Sequence, residues 1–366
     1  MRIAFLIRSL GTGGAERQLI ELTQGLKLKG IEVNVITLYG GGTFRNELME
    51  NGINIFELQK KSRWDMVSTF FRLLKVIRKI NPDILHGYAG VPNIIAIFVK
   101  SLNPDLKVIW GIRSAYKDLS RFSFVVRFLS FMETVLSRHA DLIISNSIEG
   151  KKVCIYHGFP DERIVVIPNG IDVNKFHEIP DQRRVWRNMW GVADDECLIG
   201  IVARFAPVKG HDTFLRASSL LTKARSDIKI ACIGSGSEDE VQRLKNLATE
   251  LGLNSKVIWT GSLQEMPGVY NALDVLCSSS YAEGFSNVIA EAMACNIPCV
   301  VTDVGDSAMI VGDTGVVVPA GNPDQLAQGL KEMLDRPKLK IRDRIVNHFT
   351  TERLVEVFLN DVEHLV

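Results

Sequence analysis

The stretch RIAFLIRSLGTGGAERQLIELTQGLKLKGIEVNVITL, residues 2–38, holds an apolar run, a glycine-rich turn, a helical pattern and a second β-branched run, in that order. RIAFLI is too short for a signal h-region, is followed by Arg8, and leads into glycines instead of a cleavage site, so it reads as a buried first strand. From about Ala15 to Lys29 the apolar residues recur at helical spacing, and EVNVITL (32–38) then restarts the strand pattern. Strand, helix, strand is the unit of a parallel sheet, because parallel neighbours need a long crossover between them.

The unit recurs along the chain. INIFEL (53–58), a helix through VSTFFRLLKVIRKI (67–80) and DILHGY (83–88) come next. The apolar runs NIIAIFVK (93–100) and LKVIWGI (106–112) follow, then a helix near Phe122 to Arg138, ADLIISNS (140–147), another helix and RIVVIPNG (163–170). A second series runs CLIGIVAR (197–204), a helix from about Asp212, IKIACIG (228–234), a helix from about Glu238 to Leu251, KVIWTG (256–261), LDVLCSS (273–279), a helix after Gly284 and IPCVVTD (297–303). The expected fold is therefore α/β, with two successive Rossmann-like domains of parallel sheets. The charged segment HEIPDQRR (177–184) is the expected boundary, giving domains 1–178 and 179–349, with a helix over 350–366 packing back toward the first domain. Ligands of such sheets bind at the carboxyl ends of the strands, so a cleft between two facing domains would be lined by strand-to-helix loops.

Composition sets the other bounds. A chain of 366 residues, 46% hydrophobic, can fill two cores. The longest candidate for membrane insertion, FSFVVRFLSF (122–131), carries Arg127 and falls far short of a span of ~20 residues. The six cysteines include no CxxC pair, and several lie in strand-like runs as small hydrophobes, which suits a reducing, cytoplasmic setting. The net charge of +1 hides an asymmetry: up to Glu178 there are 24 basic and 17 acidic residues, leaving 19 and 25 of the totals of 43 and 42. A basic first half attracts an anion, whether nucleic acid, acidic lipid or a phosphorylated substrate.

Three segments carry candidate chemistry. In EGFSNVIAEAM (283–293), Gly284 permits a tight turn, and Phe285, Ser286 and Asn287 open a helix whose first amides can hold phosphate. Glu283 would stand beside a diphosphate and Glu291 two turns on; the alternative makes Glu283 a helix-start charge and Glu291 a solvated helix residue. In IVARFAPVKGHDTFL (201–215), Arg204 and Lys209 lie beyond a strand end, where they would neutralise a leaving pyrophosphate, or else be an ordinary ion-pair partner and an exposed lysine. The glycine loop GTGGAER (11–17) allows an anion close to the backbone, or is only a tight turn. The second strand ends in Thr37, Leu38 and Tyr39 without the acid a dinucleotide reader needs, which disfavours a nicotinamide enzyme.

Taken together, GGAER (13–17), IPNGID (167–172), Arg204 with Lys209–Gly210, IGSGSE (233–238) and Glu283 with Glu291 resemble glycosyltransferase family 4 in order and spacing over nearly the whole chain. The resemblance implies a GT-B fold and retaining transfer from a nucleotide diphosphate sugar, UDP favoured over GDP. It further implies Arg204 and Lys209 on the donor diphosphate, Glu283 facing the transferred sugar and Glu291 on the ribose. Backbone from Gly284 and Phe285 to Asn287, Gly13 and Gly14, and the loops at Gly234, Gly236 and Gly261 would complete the donor pocket. Where many members have a histidine after the fifth strand, this sequence has Arg113 in VIWGIRS, so His86 and Arg113 are expected to share its work at the sugar; His86 could equally be a strand-end histidine bonded to backbone. Asn296 in MACNIP replaces a common glycine.

No DxD motif or metal-spaced cluster occurs, so transfer without a metal or other cofactor is expected. The acceptor is expected to be a saccharide or lipid-linked saccharide of cell-surface polysaccharide or lipopolysaccharide assembly. Residues 60–79 and 121–131 mix basic with large apolar side chains, as suits peripheral docking on the anionic inner membrane face, although Phe70, Leu73, Leu74 and Ile77 also make an ordinary core stripe. The rival readings are an epimerase or phosphorylase on the same fold and a non-catalytic nucleotide-sugar-binding subunit. Nucleic-acid binding is weakest, since no reader motif is present.

Overall fold

The computed structural model describes residues 1–11, 13–62, 64–113, 123–337 and 339–365. Thr12 of the glycine loop, Arg63, and Arg121 and Phe122 at the expected start of a helix lie outside the described residues. The chain divides into two units, Met1–Gly170 with Thr351–Val366, and Ile171–Thr350.

The first unit holds a seven-stranded sheet of β1 (Arg2–Ile7), β2 (Glu32–Thr37), β3 (Asn54–Glu57), β4 (Ile84–Tyr88), β5 (Lys107–Ile112), β6 (Leu142–Ser145) and β7 (Ile164–Val166) in the order β3-β2-β1-β4-β5-β6-β7. All its pairs are parallel. The order reverses between β1 and β4, which makes the carboxyl ends of those strands the ligand crevice of such a sheet. Strand residues are buried on both faces: Ile3, Phe5 and Ile7 enter one core layer and Ala4 and Leu6 the other. The run NIIAIFVK, although β-branched, lies within the helix Val91–Ser101, because the parallel step from β4 to β5 requires a crossover. The helix Thr351–Val362 adds Leu354, Val355, Phe358 and Val362 to the first layer. Val355 approaches so close to the helix Gly14–Leu28 that a Cβ at Gly25 would lie 2.4 Å from its Cγ2.

The second unit holds β8 (Cys197–Val202), β9 (Ile228–Ile233), β10 (Val257–Gly261), β11 (Val275–Ser278), β12 (Cys299–Thr302) and β13 (Val316–Val318), ordered β10-β9-β8-β11-β12-β13 and again all parallel. Its order reverses between β8 and β11. The division between the units precedes the segment 177–184, which opens the helix Pro180–Met189. That segment is tied into the second unit, because Asp274 accepts bonds from Arg183 at 2.6 Å and Arg187 at 3.0 Å, and Asn271 accepts from the Ile179 amide. All six cysteines are free, five of them buried. No helix among the described residues is long and apolar enough to cross a membrane.

Candidate functional site

The reversal point of the second sheet is where the sequence-selected residues meet. After β8 the chain passes Arg204, which is exposed and has no ion pair among the described residues, and makes a short turn at Pro207–Lys209. Gly210 follows at φ +65°, and a Cβ there would lie 2.0 Å from the Ser279 carbonyl, so both its conformation and the approach of the β11 loop exclude a side chain. The two loops are stitched together. Ser279 Oγ donates to the Gly210 carbonyl at 2.9 Å, and the Tyr281 amide to the Val208 carbonyl at 2.8 Å.

This stitching brings Lys209 Nζ to 2.6 Å from Glu283 Oε1, to which Ser280 Oγ also donates at 2.7 Å. Thr302 Oγ1, from β12, in turn holds the Ser280 carbonyl at 2.7 Å. The Asp306 amide caps the Gly284 carbonyl at 3.0 Å. A lysine ammonium is thereby fixed beside a carboxylate, with its other N–H donors left for a ligand, and a carboxylate oxygen is left to accept from a hydroxyl. The helix Asn287–Ala294 starts directly after this pair, with no side-chain cap from Ser286. Phe285 sends its ring into the core against Phe349, at 5.5 Å between centroids, so only its backbone can face a ligand.

Glu291 is 3% exposed and accepts a bond from Tyr270 Oη at 2.6 Å, which removes its reading as a solvated helix residue. Gly234, at φ +142°, lies where a Cβ would come within 2.0 Å of the Ala203 carbonyl, and Gly236 abuts the Phe205 carbonyl. The loop after β9 is therefore pressed against the one carrying Arg204, and the Gly234 amide donates to the Gly261 carbonyl at 3.0 Å. Asn296 takes φ +60° where glycine is common, and its Oδ1 accepts from the Ile341 amide at 3.0 Å.

In the first unit, Gly13 and Gly14 are exposed and open the helix after β1, with the Glu16 carboxylate folded back over Gly13. Arg113, just beyond β5, lays its guanidinium 4.2 Å from the centroid of the Tyr88 ring and donates to Asn169 Oδ1 at 3.1 Å. His86 requires correction: it is not an exposed group at the strand end. Period two along β4 places it with Ile84 and Tyr88 on the face covered by the helix Thr351–Val362, where it is fully buried. Its ring stacks on Phe358 at 5.8 Å, lies 5.1 Å from Phe5, and has neither nitrogen bonded. Burial, aided by the Arg113 charge, holds its pKa well below the usual imidazole value.

Sequence reasoning passed over Gln18 and Asn169. The Gln18 side chain exchanges two bonds with Gly170, at 2.8 and 3.0 Å, so the GGAER and IPNGID segments are clamped to each other. Both residues sit inside or next to motifs already singled out, which was the available signal. Among the described residues no group of three or more His, Cys, Asp or Glu is placed to hold a metal.

Comparison with known proteins covers both units. Residues 12–175 match the family model of Glycosyltransferase Family 4, and residues 182–348 that of Glycosyl transferases group 1. A D-inositol 3-phosphate glycosyltransferase of Mycolicibacterium smegmatis is 32% identical over 199 residues, which are 53% of this chain and 45% of that protein. The chain thus spans under half the length of that curated relative. An uncharacterized glycosyltransferase of Methanocaldococcus jannaschii is 28% identical over 352 residues, covering 89% of this chain and 86% of its own. The crystal structure of Anabaena HepE in complex with UDP superposes over 100% of both chains at TM-score 0.87 and 21% identity, which shows a shared fold. With two parallel Rossmann-like sheets and both family matches in register with them, the chain belongs to the family 4 glycosyltransferases of GT-B fold.

Proposed function

We propose that the protein is a retaining glycosyltransferase that moves a sugar from a nucleotide diphosphate donor, a UDP-sugar, to a hydroxyl of a saccharide acceptor. The observation that carries this reading is the Lys209–Glu283 pair, 2.6 Å apart at the reversal point of the second sheet and at the start of the helix Asn287–Ala294. Negative charge grows on the diphosphate as its bond to the sugar breaks, and a preorganised ammonium, together with Arg204 of the same loop, lowers that barrier without a divalent ion. Glu283 accepts from the transferred sugar, Glu291, oriented by Tyr270, reads the ribose hydroxyls, and backbone at Phe285–Asn287, Gly234, Gly236 and Gly261 lies around the donor. A UDP donor is supported by HepE, which has been solved with UDP and with UDP-glucose. In a transfer assay with UDP-sugars, Lys209→Ala and Glu283→Gln should each lower the rate about 10²–10³-fold with native circular dichroism. EDTA should leave the wild-type rate unchanged, and the product should keep the donor's anomeric configuration. Rates within a fewfold of wild type in both variants would remove the pair from the chemistry.

A lipid-linked acceptor of polysaccharide assembly at the inner membrane face is favoured by the surface of the first unit. The helix Phe124–Leu136 buries none of its residues and exposes Phe124, Val125, Phe128 and Phe131, and Trp64, Val67 and Phe71 are also exposed. Apolar side chains in a unit with excess basic charge suit an anionic interface. Sedimentation with phosphatidylglycerol vesicles at low salt should carry the protein down, and Phe128→Ser with Phe131→Ser should release it. A wild type that stays in the supernatant would end this reading.

A further inference from the structure

Arg113 has no carboxylate partner among the described residues. Its one hydrogen bond is to the neutral amide of Asn169, its planar face is spent on the Tyr88 ring, and its Nε is buried without a partner. The surroundings disfavour its charge: burial lowers its pKa, and the Tyr88 phenol is what opposes that shift. Arg113 is half-buried, and a guanidinium partly withdrawn from water is ordinarily met by an aspartate or glutamate. Among the described carboxylates, Glu16 is folded back on its own helix start at Gly13, and Glu133 accepts from Asn93 at 3.5 Å.

A second polar group waits at the same place. Tyr88 is 3% exposed, and its hydroxyl has no hydrogen-bond partner among the described residues. Tyr88 ends β4 and Arg113 follows β5, its neighbour, while the exposed Gly13 and Gly14 open the helix after β1 on the other side of β4. These are the carboxyl ends at the reversal point of the first sheet, the position where sheets of this kind bind ligands. Asn169, 4% exposed and next to the Gln18–Gly170 clamp, accepts from the guanidinium through its Oδ1.

We infer that Arg113, positioned by Tyr88 and Asn169, is the receptor for an anionic group, a carboxylate or phosphate, carried by the saccharide acceptor. Resting on the transferase reading, this narrows the acceptor from saccharides in general to acidic ones. A guanidinium offers two parallel N–H donors, which match an oxyanion better than a lone hydroxyl.

The test is comparative binding to the whole protein, read by titration calorimetry. Glucuronate and glucose 6-phosphate, each against glucose and with UDP present, report an acidic acceptor. In at least one pair the anionic member should bind about 10- to 100-fold tighter, the range of a charge-assisted hydrogen bond. Arg113→Gln should abolish that preference, and Arg113→Lys should keep part of it. Equal or weaker binding of the anionic member in every pair overturns the inference, and so does a preference that survives in Arg113→Gln. The wild-type comparison decides even if a variant fails to fold. The pairs are also titrated without UDP, so failure of UDP itself to bind strikes the donor assignment in the second unit and leaves this comparison standing.

Discussion

His211 follows the Lys209–Gly210 turn directly and begins the helix His211–Ala224, yet it is only 2% exposed. Neither ring nitrogen has a partner, and the ring stands edge-on to Phe205 at 4.8 Å. Burial is the first cause that pushes its pKa down to about 4 from 6.5, with Lys209 and Arg243 adding to it against Glu240 and Asp212. The folded protein therefore holds His211 neutral while the unfolded chain takes up a proton, so the contribution is whole above pH 6.5 and is lost as pH falls from there toward 4. Between pH 7 and 5 this linkage amounts to about 2 kcal/mol. His86, buried and equally without partners, acts with the same sign. Urea unfolding should thus show a marked loss of stability at pH 5, and His211→Leu, which cannot titrate, should lose distinctly less. The same pH dependence in both proteins would show that the imidazole is not the sensor.

At the level of elements, period and punctuation carried most of the information. The β-branched runs separated by helical patterns became parallel strands of two sheets, and the loops after β8 and β11 hold the cations and carboxylates that residue chemistry had singled out. What the pattern could not supply is the partner across the fold. Alternation along β4 puts His86 on one face, but only the returning helix Thr351–Val362 decides that this face is sealed. The helical pattern left a solvated Glu291 open as an alternative, and the hydroxyl that bonds it, Tyr270, belongs to a different helix, Met266–Ala272. The segment 177–184 looked like a linker because it is charged, whereas its Arg183 is spent on Asp274 and on carbonyls of residues 271–273. The run 93–100 has strand composition, and the crossover geometry overrides it. In each case a long-range contact outweighed a local signal, and such contacts are invisible to spacing.

At the scale of the whole molecule, the first unit is discontinuous: it is begun by residues up to Gly170 and finished by residues from Thr351 on, after the second unit has been built. The outgoing chain at Ile171 and the returning chain at Thr350 form a parallel bridge, and the Ile171 amide donates to the Phe349 carbonyl at 2.8 Å. Beyond that bridge Thr351 Oγ1 bonds Glu21 at 3.0 Å, and Phe358 fills the layer over Phe5 and His86. The core of the first sheet therefore depends on side chains some 190 positions further along the sequence than the β7 end that precedes them (Val166 to Phe358). Truncating a fully buried phenylalanine costs about 3–5 kcal/mol through lost burial and a residual cavity. Phe358→Ala should impose that loss on one unit alone. In hydrogen exchange, amides of β1, β4 and β5 should exchange faster by two to three orders of magnitude, about the factor that this energy implies, while those of β8, β11 and β12 keep their wild-type protection. Faster exchange in both sheets to the same degree would mean that the two units unfold as one, and the division drawn at Gly170 would then have no thermodynamic counterpart.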